Sequence, residues 1–184
     1  LMGQSPYAAS KISADQLAIS YWRSFNLPVK IIRPFNTYGP RQSARAVISS
    51  IIMQALNNKD IKLGNIQSSR DYTYVTDLCD AYFDVLKIKN LFGTPINIGS
   101  NNENKIKDIA KMIIKKINPL LNIKVEKSRF RPKFSEVDRL KCDNSLIIKK
   151  TKWRPKVNFN NGLDKTIDWI KKSNLSTTLD NYRI

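Results

Sequence analysis

The chain has 184 residues, 41% hydrophobic and 9% aromatic, which is enough to bury a core and excludes a disordered or fibrous chain. Its net charge of +17 points to an anionic partner such as nucleic acid, a lipid surface or a phosphorylated small molecule, although the lysines scatter along helical stretches as on a solvated face. No apolar run approaches the ~20 residues of a membrane span, and AVISSIIMQAL (46–56) is both too short and broken by Ser49, Ser50 and Gln54. No signal peptide is visible, and the first residue is Leu rather than Met, so position 1 need not be a natural start. Cys79 and Cys142 lack metal-ligand spacing and there is no histidine, so the expectation is two free thiols, no metal site and a cytoplasmic location.

Taken in chain order, Ala14, Leu17, Ala18, Tyr21, Trp22 and Phe25 recur at helical spacing and predict a helix over 7–25, stopping near Asn26 ahead of Pro28. VKIIRPF (29–35) predicts a short buried strand, and NTYGPRQ (36–42) a loop. A helix follows over 44–57, then the short strand IKLG. SSRDYTYV predicts a strand through Val75, with Thr76 or Asp77 capping a helix to about Lys87. FGTPINIGS predicts a strand, 105–117 an amphipathic helix and IKVEK a strand. Two closing helices follow, the last capped by Asn160 or Asn161. Strands alternate with helices, so the class is α/β with a parallel sheet.

Four stretches could carry chemistry. In SPYAASK (5–11), Tyr7 and Lys11 lie four apart and share a helix face. An ammonium beside a phenol favours the phenolate, which can then act as general acid or base; the alternative is ordinary helix surface. RPFNTYGPRQ (33–42) releases Asn36, Tyr38, Gly39 and Arg41 beyond a strand end, where parallel sheets bind ligands; the alternative is a tight turn. In SRDYTYVTD (69–77), Arg70 is either a phosphate fork or a surface ion pair with Asp71. SRFRPKFSEVDR (128–139) collects Arg129, Arg131 and Glu136 in a loop that suits a diphosphate or is simply solvated.

In this order, SPYAASK, RPFNTYGPRQ, RDYTYVTD, PINIGS, the RP of RFRPKFSE and the closing W-x-P…GL-x-x-T-I-x-W resemble one family from residue 4 to about 172. The chain looks like the C-terminal part of an NAD-dependent epimerase/dehydratase, an extended short-chain dehydrogenase/reductase acting on nucleotide sugars. PFNTYGPRQSARAVI further resembles the 4,6-dehydratase branch, and within it the enzymes that dehydrate an N-acetylglucosamine nucleotide toward legionaminic-type nonulosonic acids.

The resemblance implies the end of a Rossmann-type parallel sheet domain over 1–90, with substrate-domain insertions near 41–69, and a small α/β nucleotide-sugar-binding domain over 91–184. It implies that Tyr7 takes the proton of the sugar C4 hydroxyl while hydride passes to NAD, and that Lys11 holds the nicotinamide ribose and the phenolate charge. Pro34 would lie against the nicotinamide. Asn36 would meet the diphosphate, and Arg45, Ala46 and Val47 would line the nucleotide pocket. Arg70 and Arg131 would neutralise the diphosphate and reach the ribose, and Asn97 and Glu136 would complete the pocket. In a dehydratase, oxidation at C4 acidifies the C5 proton, water leaves C6 and the hydride returns there. Full-length members of the family are usually homodimers.

The chain departs from the family pattern in two ways. Gly64 stands where a G-x-G is usual, with Ile66 in place of the second glycine. The six glycines (3, 39, 64, 93, 99, 162) fit no glycine-rich dinucleotide turn, and the family's catalytic Ser/Thr and acidic pair have no counterpart. The expectation is therefore a piece of such an enzyme, inactive alone, with an exposed edge at VKIIRPF. The alternatives are a non-catalytic sugar-nucleotide binder or one subunit of a split enzyme and, more distantly, a basic nucleic-acid-binding protein.

Overall fold

A computed structural model describes residues 3–173, with the side chain of Lys133 excepted. Residues 1–2 and 174–184, which fall at the ends of the two expected domain spans, lie outside the described residues.

The first helix, α1 (Pro6–Phe25), is set by local chemistry at both ends. Ser5 caps it by accepting from the Ala8 N–H at 3.1 Å, Pro6 opens it, and Asn26 closes it in the left-handed conformation. Strand β1 (Ile31–Pro34) runs parallel to β5 (Pro95–Ile98), with Arg33 opposite Asn97. Among the described residues β1 pairs with no strand other than β5, and its first residue, Ile31, is buried.

The loop expected over 36–42 is a strand in its first three residues. Strand β2 (Asn36–Tyr38) pairs in parallel with the upper half of β4 (Ser69–Tyr74), with Asn36 opposite Tyr72. A three-residue strand of polar composition has no periodicity of its own, and its register is set by a partner some 35 residues away. The lower half of β4 pairs with two more short strands absent from the sequence reading: antiparallel with β6 (Glu103–Lys105) and parallel with β8 (Arg139–Leu140). Strands β3 (Ile61–Leu63) and β7 (Ile123–Val125) form a third, parallel pair.

The remaining helices are α2 (Val47–Leu56), α3 (Val75–Leu86), α4 (Ile106–Ile117), α5 (Ser145–Lys150) and α6 (Phe159–Lys172). Two caps differ from expectation. Tyr74, not Thr76 or Asp77, is the N-cap of α3, and Asn158, not Asn160 or Asn161, caps α6 by accepting from Asn160 N–H at 2.9 Å. Asp77 is instead buried in the first turn of α3, where its carboxylate accepts from Val157 N–H at 2.9 Å and its carbonyl from the Trp153 indole at 2.8 Å. Its task is tertiary, which the capping pattern alone does not reveal.

The apolar side chains gather in two cores. The larger packs α2, α4 and α6 against β2, β3 and β4, with Ile51, Ile52, Ile109, Ile113 and Leu163 fully buried. The smaller joins Ala81 and Val85 of α3, Ile96 and Ile98 of β5, Ile147 of α5 and Trp153. Each core draws on chain from both sides of residue 90.

Candidate functional site

A cavity of about 380 Å³ opens where β2, the start of α2, the β3–β4 loop and the 126–138 segment converge. Asn36, Arg45, Ala46, Val47, Arg70, Arg131 and Glu136 all line it. Asn36 comes from the first residue of β2, and Arg45–Val47 from the entry to α2. Arg70 comes from β4, and Arg131 and Glu136 from the loop between β7 and β8. Ala46 is the N-cap of α2 and makes no side-chain cap bond, and the N-terminus of that helix lies at the cavity, where Ala46, Val47 and Ser50 line it.

The lining is strongly cationic. Arg45, Lys62, Arg70, Arg129 and Arg131 contribute to it, against the single carboxylate of Glu136. Not all of that charge is equally available. Arg70 and Glu136 form an ion pair at 3.1 Å, with side chains only 13% and 18% exposed. Glu126 takes Lys62 at 3.0 Å and Arg129 at 2.8 Å. Tyr72 lies in the wall, and its phenol is pushed up to about 12 by burial, with Arg70 and Arg131 pulling the other way. That balance records two guanidinium charges beside one buried ring.

The alternative pairing of Arg70 with Asp71 does not occur. Strand alternation turns Asp71 to the other face of β4, where it is fully buried. There it accepts from Ser100 N–H at 2.8 Å, Ser100 Oγ at 2.7 Å and Cys142 N–H at 3.1 Å. A carboxylate so satisfied ties the Gly99–Ser100 turn and the chain after β8 to β4, which fixes the frame around Arg70.

The cavity also depends on residues with no signal in the sequence. Gln42 donates to the Thr37 carbonyl and accepts from Ser49 Oγ at 3.1 Å, bracing the loop between β2 and α2. Buried Gln54 accepts from Lys62 N–H at 2.8 Å and so holds β3 against α2. A side chain at Gly64 would bring its Cβ to 2.3 Å from the Arg129 carbonyl oxygen, so only glycine lets the Arg129 turn close over the β3–β4 loop. This is the one glycine of the expected pair that stands, and its role is close packing.

Other expected site residues lie elsewhere. Tyr7 and Lys11 stand side by side on the exposed face of α1, with the Lys11 ammonium 5.6 Å from the Tyr7 ring centroid, and Tyr7 is 71% exposed. Ser5, two residues before, is occupied as the cap of α1. Pro34 ends β1 opposite Ile98. Asn97 is not among the cavity's lining residues; its amide donates to the Asp143 carbonyl at 3.5 Å. Both cysteines are free, Cys79 exposed and Cys142 buried, and burial next to Asp71 and Asp143 pushes the Cys142 thiol up to about 12. Among the described residues no helix is long and apolar enough to cross a membrane.

Known proteins share this fold. A sequence model of the family described as GDP-mannose 4,6 dehydratase matches residues 1–166. Human dTDP-D-glucose 4,6-dehydratase is 34% identical over 175 residues, covering 92% of this chain and 49% of the human protein. The structure of a UDP-glucuronic acid 4-epimerase from Bacillus cereus, in complex with UDP-glucuronic acid and NAD, superposes with a TM-score of 0.85 at 29% identity, covering 93% of this chain and 54% of that one. The dTDP-glucose 4,6-dehydratase of Bacillus anthracis, in complex with NAD, superposes with a TM-score of 0.80 at 30% identity over 92% of this chain and 53% of that one. The chain thus spans about half the length of these relatives.

Proposed function

Because the chain belongs to the NAD-dependent epimerase/dehydratase family, we propose that its cavity holds the nucleoside diphosphate of a nucleotide sugar and that it forms the substrate half of a 4,6-dehydratase. The observation that carries this reading is the convergence of five cationic side chains and Asn36 on one cavity beside a helix N-terminus. Arg70 and Arg131 neutralise the two phosphates, Asn36 donates its amide to a diphosphate oxygen, and Arg45, Ala46 and Val47 bound the nucleoside. The larger core, which carries this cavity, is the sugar-nucleotide body, and β1, β5 and α3 are the edge of the dinucleotide body.

Tyr7 and Lys11 are proposed as the proton-handling pair. The phenol oxygen takes the proton of the sugar C4 hydroxyl, and the adjacent ammonium holds the resulting charge and the ribose hydroxyls. Bound NAD would supply a hydride acceptor that returns its hydride within one turnover. The residues present fit only its nicotinamide end, Tyr7, Lys11 and Pro34. All six glycines abut the protein's own atoms, so none leaves a cradle for the pyrophosphate. These 184 residues therefore bind a sugar nucleotide without turning it over. The preferred sugar in this reading is an N-acetylglucosamine nucleotide, on the strength of PFNTYGPRQSARAVI.

Titration calorimetry with UDP-N-acetylglucosamine, dTDP-glucose and GDP-mannose tests the proposal. The expected result is saturable heat without turnover. Loss of a charge-assisted contact in Arg70→Ala should weaken binding about tenfold or more. Absence of heat at millimolar ligand overturns the reading, and turnover by the chain alone overturns the half-enzyme part of it.

A further inference from the structure

Arg70 is the most enclosed cation of the cavity, and it is already engaged. One guanidinium nitrogen donates to its neighbour's carbonyl, Ser69 O, at 2.8 Å, and another meets Glu136 Oε1 at 3.1 Å. Glu136 stands on the 126–138 segment, which runs from β7 through two short turns to β8 and also brings Arg131 to the cavity. Two anchors hold that segment. Gly64 lets the Arg129 carbonyl pack on the β3–β4 loop, and β8 pairs with Ser69 and Arg70 themselves. The carboxylate is thus delivered to the fork by the same strand register that positions the fork. Arg131 and Arg45 make no ion pair among the described residues, so they are the cations that greet an arriving anion.

We propose that Glu136 is a built-in competitor for the Arg70 fork and thereby tempers the cavity's grip on diphosphates. A carboxylate and a phosphate oxygen are interchangeable acceptors for a guanidinium. A monophosphate can be met by the unpaired Arg131 and Arg45 and leaves the Arg70–Glu136 pair standing. A diphosphate has enough charge and reach to displace Glu136 and take Arg70 as well. The cost of breaking that partly buried ion pair falls on the diphosphate alone, so it lowers diphosphate affinity and leaves monophosphate affinity unchanged. This inference rests on the proposed diphosphate site and names what limits its affinity.

Calorimetry with inorganic pyrophosphate and inorganic phosphate as probes, on the parent chain, Glu136→Gln, Arg70→Ala and the double variant, tests it. Thermal melts of each protein establish that it folds. Glu136→Gln should tighten pyrophosphate by about three- to tenfold, the effect of removing a partly exposed competing ion pair, and widen the preference over phosphate by the same factor. In the Arg70→Ala background the same substitution should change pyrophosphate affinity less than twofold. A gain from Glu136→Gln that survives in Arg70→Ala would mean a general field effect and overturn the competitor role. Unchanged or weaker pyrophosphate binding by Glu136→Gln would overturn it too, while the diphosphate site itself would stand on the parent's binding. No binding by any of the proteins would overturn both.

Discussion

Two helices of this chain both repeat apolar residues at helical spacing and meet opposite fates. In α4, Ile106, Ile109, Ala110, Ile113 and Ile114 are all buried, with the lysines on the opposite face. In α1, which is longer and better capped, no residue is fully buried, and Leu17, Tyr21 and Phe25 stand 61%, 47% and 74% exposed on one stripe. Spacing tells which side of a helix is apolar; it does not tell whether anything covers that side. α1 is held by its caps, by an Asp15–Arg33 ion pair at 2.5 Å and by Trp22, which lies against Phe92 with ring centroids 5.3 Å apart. The cavity sits on the well-packed side of this divide, and the Tyr7/Lys11 pair on the other.

The sharpest way to break the comparison is to truncate both stripes. Ile113→Ala should cost about 2–5 kcal/mol, a transfer loss plus a cavity among fully buried neighbours. Phe25→Ala and Leu17→Ala should move stability by no more than about 0.5 kcal/mol, since they remove exposed atoms. Urea titration of the three variants decides it, and a Phe25→Ala cost near that of Ile113→Ala would mean that the α1 stripe is covered in solution.

The packed side should also show itself at high pH. Burial holds the Tyr72 phenol at about 12 against an ordinary 10.0. Between those values the unfolded chain releases a proton that the folded one keeps. The stability Tyr72 contributes is therefore complete below pH 10 and lost as pH rises toward 12, at up to about 1.4 kcal/mol per pH unit. Tyr72→Phe should flatten the stability profile across that window. A profile as steep as the parent's would show that the ring is wetter than its 6% exposure indicates. Gly64→Ala follows in size. Its Cβ would strike backbone, the Arg129 carbonyl, and the overpacking should cost about 1–3 kcal/mol while loosening the 126–138 segment. Urea titration measures the cost, and an unchanged midpoint would mean that the segment moves aside freely.

The same divide explains what could be read in advance. Helices α1, α2 and α4 and the apolar strands β1, β3 and β5 announce themselves because their signal is local: period, caps and breakers. The cavity residues Asn36, Arg45, Arg70, Arg131 and Glu136 were legible only as an ordered set of motifs, and the fold then brought chain segments up to 100 residues apart to one cavity. What stayed hidden is what partners decide. Strands β2, β6 and β8 are two or three residues long and exist by pairing with β4. Asp77 looks like a cap and serves as a buried anchor for Val157. Glu136 looked like a ligand of the pocket, and its own choice of Arg70 over solvent could not be seen without the register that delivers it.

The smallest expected effect tests how α1 is held. The Asp15–Arg33 pair is the ionic link from α1 to β1, and its side chains are 19% and 32% exposed, so solvent screens much of its Coulomb energy. Asp15→Asn keeps the shape and removes the charge, and the loss should be about 0.2–1 kcal/mol. Global unfolding should hardly register it, because the cores do not include it. Amide hydrogen exchange should, since a helix without a buried face opens locally at much lower free energy than the cores. Protection over 10–25 should fall severalfold in Asp15→Asn while α4 is unchanged, and 0.5 M salt should produce a similar drop in the parent. Equal loss in α1 and α4 would mean that α1 is part of the cooperative unit after all.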